Sequence, residues 1–212
     1  IYKPTSPARR QTSVLTSDDI TRKSPEKKLI FSGKNQAGRN DQGKITVRHQ
    51  GGGNKKKIRI IDYKRDKFDI PAVVATVEYD PNRNTRIVLL NYADGEKRYM
   101  IASQEMKVGD KIMSSQKLID LKVGNCMPLA VIPPGMFIYN VELTPGKGGQ
   151  MARGAGNSIY LMGIDNGYAQ LKLPSGEVRL VPQECLATIG SASNPEFQNI
   201  RWGKAGRMRH RG

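Results

Sequence analysis

The sequence predicts an all-β protein whose folded body carries basic extensions at both ends. Apolar and polar residues alternate over short runs from residue 58 onward, and tight-turn signals separate these runs. No helical pattern extends beyond about two turns. The charge distribution predicts the extensions, because residues 1–60 hold 15 Lys and Arg against 4 Asp and Glu, and residues 196–212 hold 5 against 1, whereas residues 61–195 hold 15 against 14.

The N-terminal segment is predicted to be an extended arm that contacts a partner. Residues 1–35 contain prolines and paired arginines, and no apolar period persists in them. Because such a segment has too few apolar residues to offset the entropy of ordering, we expect it to order against a partner. Residues 45–48 alternate and could form one short strand.

Three adjacent glycines run through Asn54 into three adjacent lysines between residues 51 and 57. Glycine lets a backbone approach another surface closely, and clustered ammonium groups supply positive charge there. The combination suits a polyphosphate surface, and a flexible solvated loop is the alternative that the local sequence leaves open.

A first group of strands is predicted between residues 58 and 113. The runs are rich in β-branched residues and lie at residues 58–63, 72–79, 85–92, 97–101 and 108–113. Pro81 presets a turn after the second run, and Asp94-Gly95 is a hairpin signal after the third. Five short strands joined by tight turns favour a small closed barrel over an open sheet with exposed edges.

A second group of alternating runs follows Pro128, at residues 137–143, 158–162, 168–173 and 177–181. Residues 132–135 contain two prolines and are predicted to be a stiff junction between the two groups. The loop over residues 144–157 holds five glycines with Lys147 and Arg153, and a loop of this length is usually functional or disordered. Its cations favour an RNA contact.

The net charge of +16 over 212 residues indicates a polyanionic partner, with nucleic acid as the first candidate. A membrane is disfavoured, since no run approaches the roughly 18–20 apolar residues that span a bilayer and no signal peptide is visible. The two cysteines, Cys126 and Cys185, are predicted to be reduced and buried as apolar residues.

No catalytic or metal-binding constellation accompanies the basic segments. His49 and His210 lie in basic surroundings without metal-ligand spacing. Residues 38–44 match most of the phosphate-loop pattern, but Ile45 stands where Ser or Thr must hold Mg²⁺, and no strand or helix pattern flanks them. We therefore predict no enzyme, no cofactor, no metal and no small-molecule substrate.

Several motifs occur together in a fixed order. They are Lys3-Pro4-Thr5-Ser6-Pro7, Gly38-Arg39-Asn40, Ile45-Thr46-Val47-Arg48-His49-Gln50-Gly51-Gly52-Gly53, Arg59-Ile60-Ile61-Asp62-Tyr63-Lys64-Arg65, Glu78-Tyr79-Asp80-Pro81-Asn82-Arg83, Asp94-Gly95-Glu96-Lys97-Arg98-Tyr99, Pro145-Gly146-Lys147-Gly148-Gly149-Gln150 and Gly203-Lys204-Ala205-Gly206-Arg207. Together they resemble the bacterial-type large-subunit ribosomal protein L-two family, over essentially the whole sequence. One departure is Asn54, where the family usually has histidine.

The resemblance implies a fold and a division of the chain. The family has an OB-type five-stranded barrel followed by an SH3-like barrel, with basic extended N- and C-terminal segments that thread into large-subunit rRNA. It implies a basic extension over residues 1–57, the OB-type barrel over 58–125, the SH3-like barrel over 126–195 and the start of a basic C-terminal extension over 196–212. The family continues with a tail that approaches the peptidyl-transferase centre, and the sequence stops before it.

The implied function is that of a structural constituent of the large ribosomal subunit. Such a protein binds large-subunit rRNA and supports subunit assembly, subunit association and the peptidyl-transferase region in translation. The implied partners are that rRNA, other ribosomal proteins and the small subunit at the intersubunit face, in a bacterial cytoplasm or, alternatively, an organellar ribosome. A free OB-type single-strand binder and a nucleotide-dependent enzyme remain as alternatives.

Two RNA-binding arginines carry over from the family by motif. Arg83 closes Asp80-Pro81-Asn82, and Arg153 follows Gln150-Met151-Ala152; for Arg83, a turn residue paired with Asp80 is the alternative. We expect Arg83→Ala and Arg153→Ala each to weaken rRNA binding and to leave the fold intact. The other predicted RNA-binding residues are Arg9, Arg10, Arg39, Arg48, His49, Gly51, Gly52, Gly53, Lys55, Lys56, Lys57, Arg59, Lys147, Lys204, Arg207 and Arg209.

Overall fold

A computed structural model of the chain describes residues 2–22, 24–33 and 36–209. Within these ranges it confirms the all-β class, with three antiparallel sheets and only short helical elements. The strands are β1 (Ile30–Ser32), β2 (Lys57–Arg59), β3 (Ala72–Tyr79), β4 (Arg86–Tyr92), β5 (Lys97–Ile101), β6 (Lys111–Ile112), β7 (Cys126–Pro128), β8 (Phe137–Tyr139), β9 (Ile159–Asp165), β10 (Tyr168–Lys172), β11 (Val178–Pro182) and β12 (Leu186–Ile189). The helices are α1 (Pro7–Arg10) and α2 (Ala205–Arg209), with 3₁₀ turns at Lys27–Leu29, Leu129–Val131 and Pro195–Asn199.

The first group of predicted strands forms a four-stranded antiparallel sheet in the order β5-β4-β3-β6. Strands β3 and β4 pair over almost their whole length, and a bulge between Val74 and Thr76 bends β3. The predicted hairpin turn at residues 93–96 is confirmed, because Gly95 has the positive φ of +86° that such a turn requires. Four of the five predicted runs, at residues 72–79, 85–92, 97–101 and 108–113, thus contain the strands of this sheet.

The first predicted run, at residues 58–63, does not form a regular strand of this sheet. Strand β2 covers only part of the predicted run over residues 58–63, and it pairs with β1, which the sequence did not predict. Farther along, Ile61 bridges Tyr99 in β5, and Phe68 bridges Ser114 just after β6. The intervening segment thus contacts both edges of the curled sheet, which leaves less of either edge open.

The second group forms a six-stranded antiparallel sheet in the order β11-β10-β9-β8-β12-β7. Strands β9 and β10 form a hairpin, with Asn166 and Gly167 both at positive φ (48° and 81°). Strand β8 is shorter than predicted because Asn140 adopts φ +50° directly after it. The junction predicted at residues 132–135 is wrong, since this segment lies between β7 and β8 of the same sheet.

The two large sheets pack against each other through a shared core. Tyr99 and Ile101 from the first sheet cluster with Tyr139 from the second and with Ala192 from the segment after β12, and all four are buried. The Tyr139 hydroxyl also donates to the Ile101 carbonyl (3.2 Å). This contact fixes the two sheets relative to each other and places the loops of one beside the turns of the other.

The N-terminal arm packs partly against the first sheet. The Thr21 N–H donates to the Val77 carbonyl (3.0 Å), and the Thr21 hydroxyl accepts from the Val77 N–H (2.9 Å). Asp19 pairs with Arg86 at the start of β4. This part of the arm therefore finds hydrogen-bond partners on the body itself, in addition to any partner molecule.

The short strand predicted at residues 45–48 does not form. The N–H groups of Thr46 and Val47 both donate to the Gly38 carbonyl (2.9 and 3.1 Å), and Ile45 forms only an isolated bridge with Arg39. The side chains of Ile45 and Val47 are exposed. The alternation there does not correspond to a buried sheet face, so the prediction from periodicity is wrong at this point.

Both cysteines are free and buried, as predicted. Burial raises the pKa of the Cys126 thiol and raises the pKa of Cys185 to about 11. Because the thiolate is the reactive form, both thiols stay protonated and inert at pH 8. We expect iodoacetamide at pH 8 to leave both unmodified in the folded protein and to label both in urea, as measured by mass spectrometry. Rapid labelling of either thiol without denaturant would contradict this expectation.

Candidate nucleic-acid interface

The triple-lysine stretch lies along a groove between the first sheet, the N-terminal arm and the segment after β12. The groove has a volume of about 630 Å³. Residues from the arm (Leu15) and from the C-terminal segment (Trp202) contribute to its lining. Five predicted RNA-binding residues line this one groove: Lys55, Lys56, Lys57, Arg59 and Arg83.

A second groove of about 890 Å³ adjoins the first. Asn54, Lys55 and Lys56 line both grooves, whereas Gly52 and Gly53 line only the second. Gly53 has φ +59°, a conformation that a side chain would strain. The glycines and lysines of this stretch therefore line two neighbouring grooves.

The backbone of Lys57 connects β2 to the turn that follows β3. Its carbonyl accepts hydrogen bonds from Arg59 Nη1 (2.9 Å) and from Asn82 Nδ2 (3.1 Å). Arg59 is only 8% exposed, and its Nε has no hydrogen-bond partner within the described ranges. No carboxylate pairs with Arg59 in that part of the chain, so its charge adds to the positive potential of the groove.

Two other arginines of the groove are paired with carboxylates. Arg86 Nε lies 2.8 Å from Asp19 Oδ2, and Arg83 pairs with Asp80, which is wholly buried. Burial lowers the pKa of Arg83, but Tyr63 and Asp80 outweigh it and raise that pKa above its ordinary value. The turn pairing considered for Arg83 is thus present, while its RNA contact stays a prediction. Sequence reasoning missed Arg86, whose only signal is a cation at the start of an apolar strand.

Arg83 and Arg153 meet at Tyr63. Arg83 Nε and Nη2 donate to the Tyr63 hydroxyl (3.0 and 2.8 Å), and Arg153 Cζ lies 4.8 Å from the centroid of the Tyr63 ring. Arg83 belongs to the turn after β3, whereas Arg153 belongs to the long loop between β8 and β9. The packing of the two sheets thus brings together two predicted residues that are 70 positions apart. Tyr63 was not among the predicted site residues.

The glycine-rich loop over residues 144–157 is held by a buried carboxylate. Glu142 is 1% exposed, and its Oε1 accepts from the Gly148 N–H (2.7 Å). Its Oε2 accepts from the N–H groups of Gly146 (3.3 Å) and Leu186 (3.0 Å). The start of the loop is therefore fixed to the body, while both loop cations remain exposed.

The two basic extensions meet each other. The Ser13 N–H donates to the Arg201 carbonyl (3.0 Å), and the Ser13 hydroxyl accepts from the Arg201 N–H (2.8 Å). Near the ends, the Tyr2 ring lies 5.9 Å from Arg9 Cζ and 5.5 Å from Arg207 Cζ. The other predicted cations of these segments, Arg10, Lys204 and Arg209, are exposed. No sequence pattern indicated that the two extensions pair.

The remaining predicted residues do not line the two grooves. Four of them lie in the exposed loop that leads into the glycines, namely Arg39, Arg48, His49 and Gly51. Lys147 lines a separate groove beside Arg98. The structure therefore gathers the predicted residues into several clusters around the body.

Residues 38–44 lack the context of a phosphate loop. Asn40 Oδ1 accepts from the Lys44 N–H (2.9 Å), and Arg39 bridges Ile45, so the segment closes into a tight turn. The described residues 45–56 that follow contain no helix. The strand-loop-helix arrangement that a bound nucleotide needs is thus missing from this part of the chain.

The described ranges contain no group of three or more His, Cys, Asp or Glu side chains that could hold a metal ion. In the same ranges, no helix is both long enough and apolar enough to cross a membrane. His210 lies outside the described residues.

Comparison with models of known protein families gives two matches. Residues 26–114 match the RNA-binding N-terminal domain of ribosomal proteins L2, and residues 122–212 match the C-terminal domain of the same proteins. The chain belongs to the ribosomal protein L2 family. It is therefore a ribosomal protein of the large subunit, and the resemblance found in the sequence is confirmed.

L2 proteins are structural ribosomal proteins, and the prediction that the chain is not an enzyme agrees with this. The groove lysines, Arg59 and Arg83 lie within the L2 N-terminal match, and Arg153 lies within the C-terminal match.

Proposed function

We propose that the two lysine-lined grooves bind the phosphate backbone of large-subunit rRNA. The observation that carries this proposal is the convergence of five predicted cations on one groove, because all five belong to the region that matches the RNA-binding domain. Ion pairs engage Arg83 and Arg86, whereas Lys55 and Lys57 are exposed and Arg59 has no carboxylate partner in the described residues. The groove thus keeps a net positive charge that suits a polyanion.

RNA binding in these grooves would involve only non-covalent contacts. Lys and Arg neutralise phosphates and release condensed counterions, and the glycines let the backbone approach sugar and phosphate closely. The two sheets hold the basic segments in fixed positions, so the shape of the folded RNA dominates recognition. Backbone contacts of this kind position a protein on RNA without reading individual bases.

The wider role proposed for the chain is support of large-subunit assembly, of subunit association and of the peptidyl-transferase region. Its partners would be other ribosomal proteins and, at the intersubunit face, the small subunit, with no membrane and no small-molecule substrate. The proposed location is a bacterial cytoplasm, with an organellar ribosome as the alternative. These roles rest on the motifs shared with the L2 family.

Replacement of all three lysines by alanine tests the proposal. We expect K55A/K56A/K57A to weaken binding to deproteinised bacterial large-subunit rRNA on the order of a hundredfold at 0.1 M salt. The slope of log affinity against log salt concentration should fall by about two to three, because three phosphate contacts are lost. Filter binding across a salt titration measures both quantities.

The matched control removes three exposed lysines from the nearly neutral body, as K107A/K111A/K117A. It should change the salt slope far less than the groove variant does. Equal losses in the two variants would show that overall charge, rather than the groove, carries binding. Equal affinity of the unmodified protein for short single-stranded oligonucleotides and for large-subunit rRNA would favour a free single-strand binder instead.

A further inference from the structure

Tyr63 makes contact with both arginines that carry over from the family, and it does so with different parts of its side chain. The hydroxyl accepts two N–H groups from Arg83, and the face of the ring lies against the guanidinium of Arg153. Tyr63 itself is half-buried between the two sheets. One side chain therefore sets the orientation of a cation from each sheet.

The backbone of Tyr63 also fixes the loop that carries Arg153. The Gly149 N–H donates to the Tyr63 carbonyl (2.9 Å), and Arg153 Nη1 donates to the Gly149 carbonyl (3.4 Å). Gly148 has φ +93°, and a Cβ there would lie 3.3 Å from the Tyr63 Cβ. The close approach of the loop to Tyr63 thus depends on glycine at this point.

Arg83 keeps donors available after these contacts. Its guanidinium has five N–H groups, and the hydrogen bonds within the described chain use one on Nε, one on Nη1 and one on Nη2. Its side chain is 23% exposed, and Arg153 is exposed as well. Both cations can therefore reach a phosphate while Tyr63 holds them.

We propose that Tyr63 is a positioning residue that joins Arg83 and Arg153 into a single contact for the RNA backbone, across the boundary between the two sheets. The inference rests on the proposed RNA-binding function. An arginine that is already held loses less side-chain entropy when it binds a phosphate, so a shared support raises affinity without touching RNA. Tyr63 acts through its two neighbours.

A double-mutant cycle tests this role, with deproteinised bacterial large-subunit rRNA as the probe and the full chain as the protein. Tyr63→Phe removes the hydroxyl and keeps the ring. We expect it to weaken binding about threefold, the effect of one modest hydrogen-bonded contact. The salt slope should stay the same, since no charge is lost.

The decisive comparison is the loss of rRNA affinity that Tyr63→Phe causes in different variant backgrounds. In Arg153→Ala it should again cost about threefold, because its contact to Arg83 persists. In Asp80→Asn/Arg83→Ala it should cost almost nothing, because the side chain that donated to the hydroxyl is gone. A structural loosening, or a direct contact of the hydroxyl with RNA, would weaken binding in every background and would overturn the proposal.

Two further comparisons separate the possible failures. Tyr168→Phe, at an exposed tyrosine of the second sheet, should leave affinity unchanged. Absence of rRNA binding by the unmodified protein would overturn the proposed function itself. Normal binding with no loss in Tyr63→Phe would overturn only the positioning role of Tyr63.

Discussion

Glu142→Ala is expected to lower the free energy of unfolding by about 3 kcal/mol, because the N–H groups of Gly148 and Leu186 lose their acceptor at about 1.5 kcal/mol each. The carboxylate of Glu142 accepts from the buried Gly148, from the half-buried Leu186 and from the exposed Gly146, whose N–H group water can satisfy instead. For a chain of 212 residues, this loss corresponds to a melting temperature lower by about 9 °C. Urea unfolding followed by circular dichroism measures the change.

Glu142→Gln should fall between the unmodified protein and Glu142→Ala. Its single amide oxygen can replace only one of the two carboxylate oxygens, and its NH₂ group faces N–H donors. Glu184→Gln removes the same charge at an exposed position two residues before Leu186 and should leave stability unchanged. A Glu142→Ala protein as stable as Glu184→Gln would show that the loop does not depend on this carboxylate.

Arg83→Ala is expected to destabilise the fold by about 2 kcal/mol, in contrast to the sequence-based expectation that the fold stays intact. Removing one partner of a buried ion pair leaves an uncompensated charge, which usually costs about 3–5 kcal/mol. Asp80 is wholly buried, but Arg83 is partly exposed, and Asp80 keeps a hydrogen bond from the Asn82 N–H (2.9 Å). The cost is therefore below the usual range.

Asp80→Asn provides the background that separates stability from binding. Once the carboxylate is neutral, Arg83→Ala should cost less than about 0.5 kcal/mol, because no buried charge is stranded. Affinity for rRNA measured in Asp80→Asn/Arg83→Ala then reports the lost cation alone. If Arg83→Ala is equally destabilising with Asp80 and with Asn at position 80, the ion pair is not the source of the loss.

The strand predictions succeeded where pattern and turn chemistry agreed. Strands β3, β4 and β5 have alternating β-branched runs bounded by Pro81 and Gly95, and the structure has them within one residue of the prediction. Strands β1, β7 and β12 were missed. Each is three or four residues long, and β7 ends at Pro128, so no local period is long enough to detect. Their pairing comes from neighbours far away in the chain.

Composition and motif order were enough to establish the family, the all-β class and the positive charge of the interface, because all three are properties of the residues themselves. The relative positions of those charges, in contrast, are not a property of the residues themselves. Arg83 and Arg153 share Tyr63, and the lysines share a groove with Trp202, only because the sheets pack through one core and the chain ends meet beside it. Arg83 and Arg153 are 70 positions apart, and Lys57 and Trp202 are 145 apart. Proximity over such separations leaves no local signal, so it follows from tertiary packing alone.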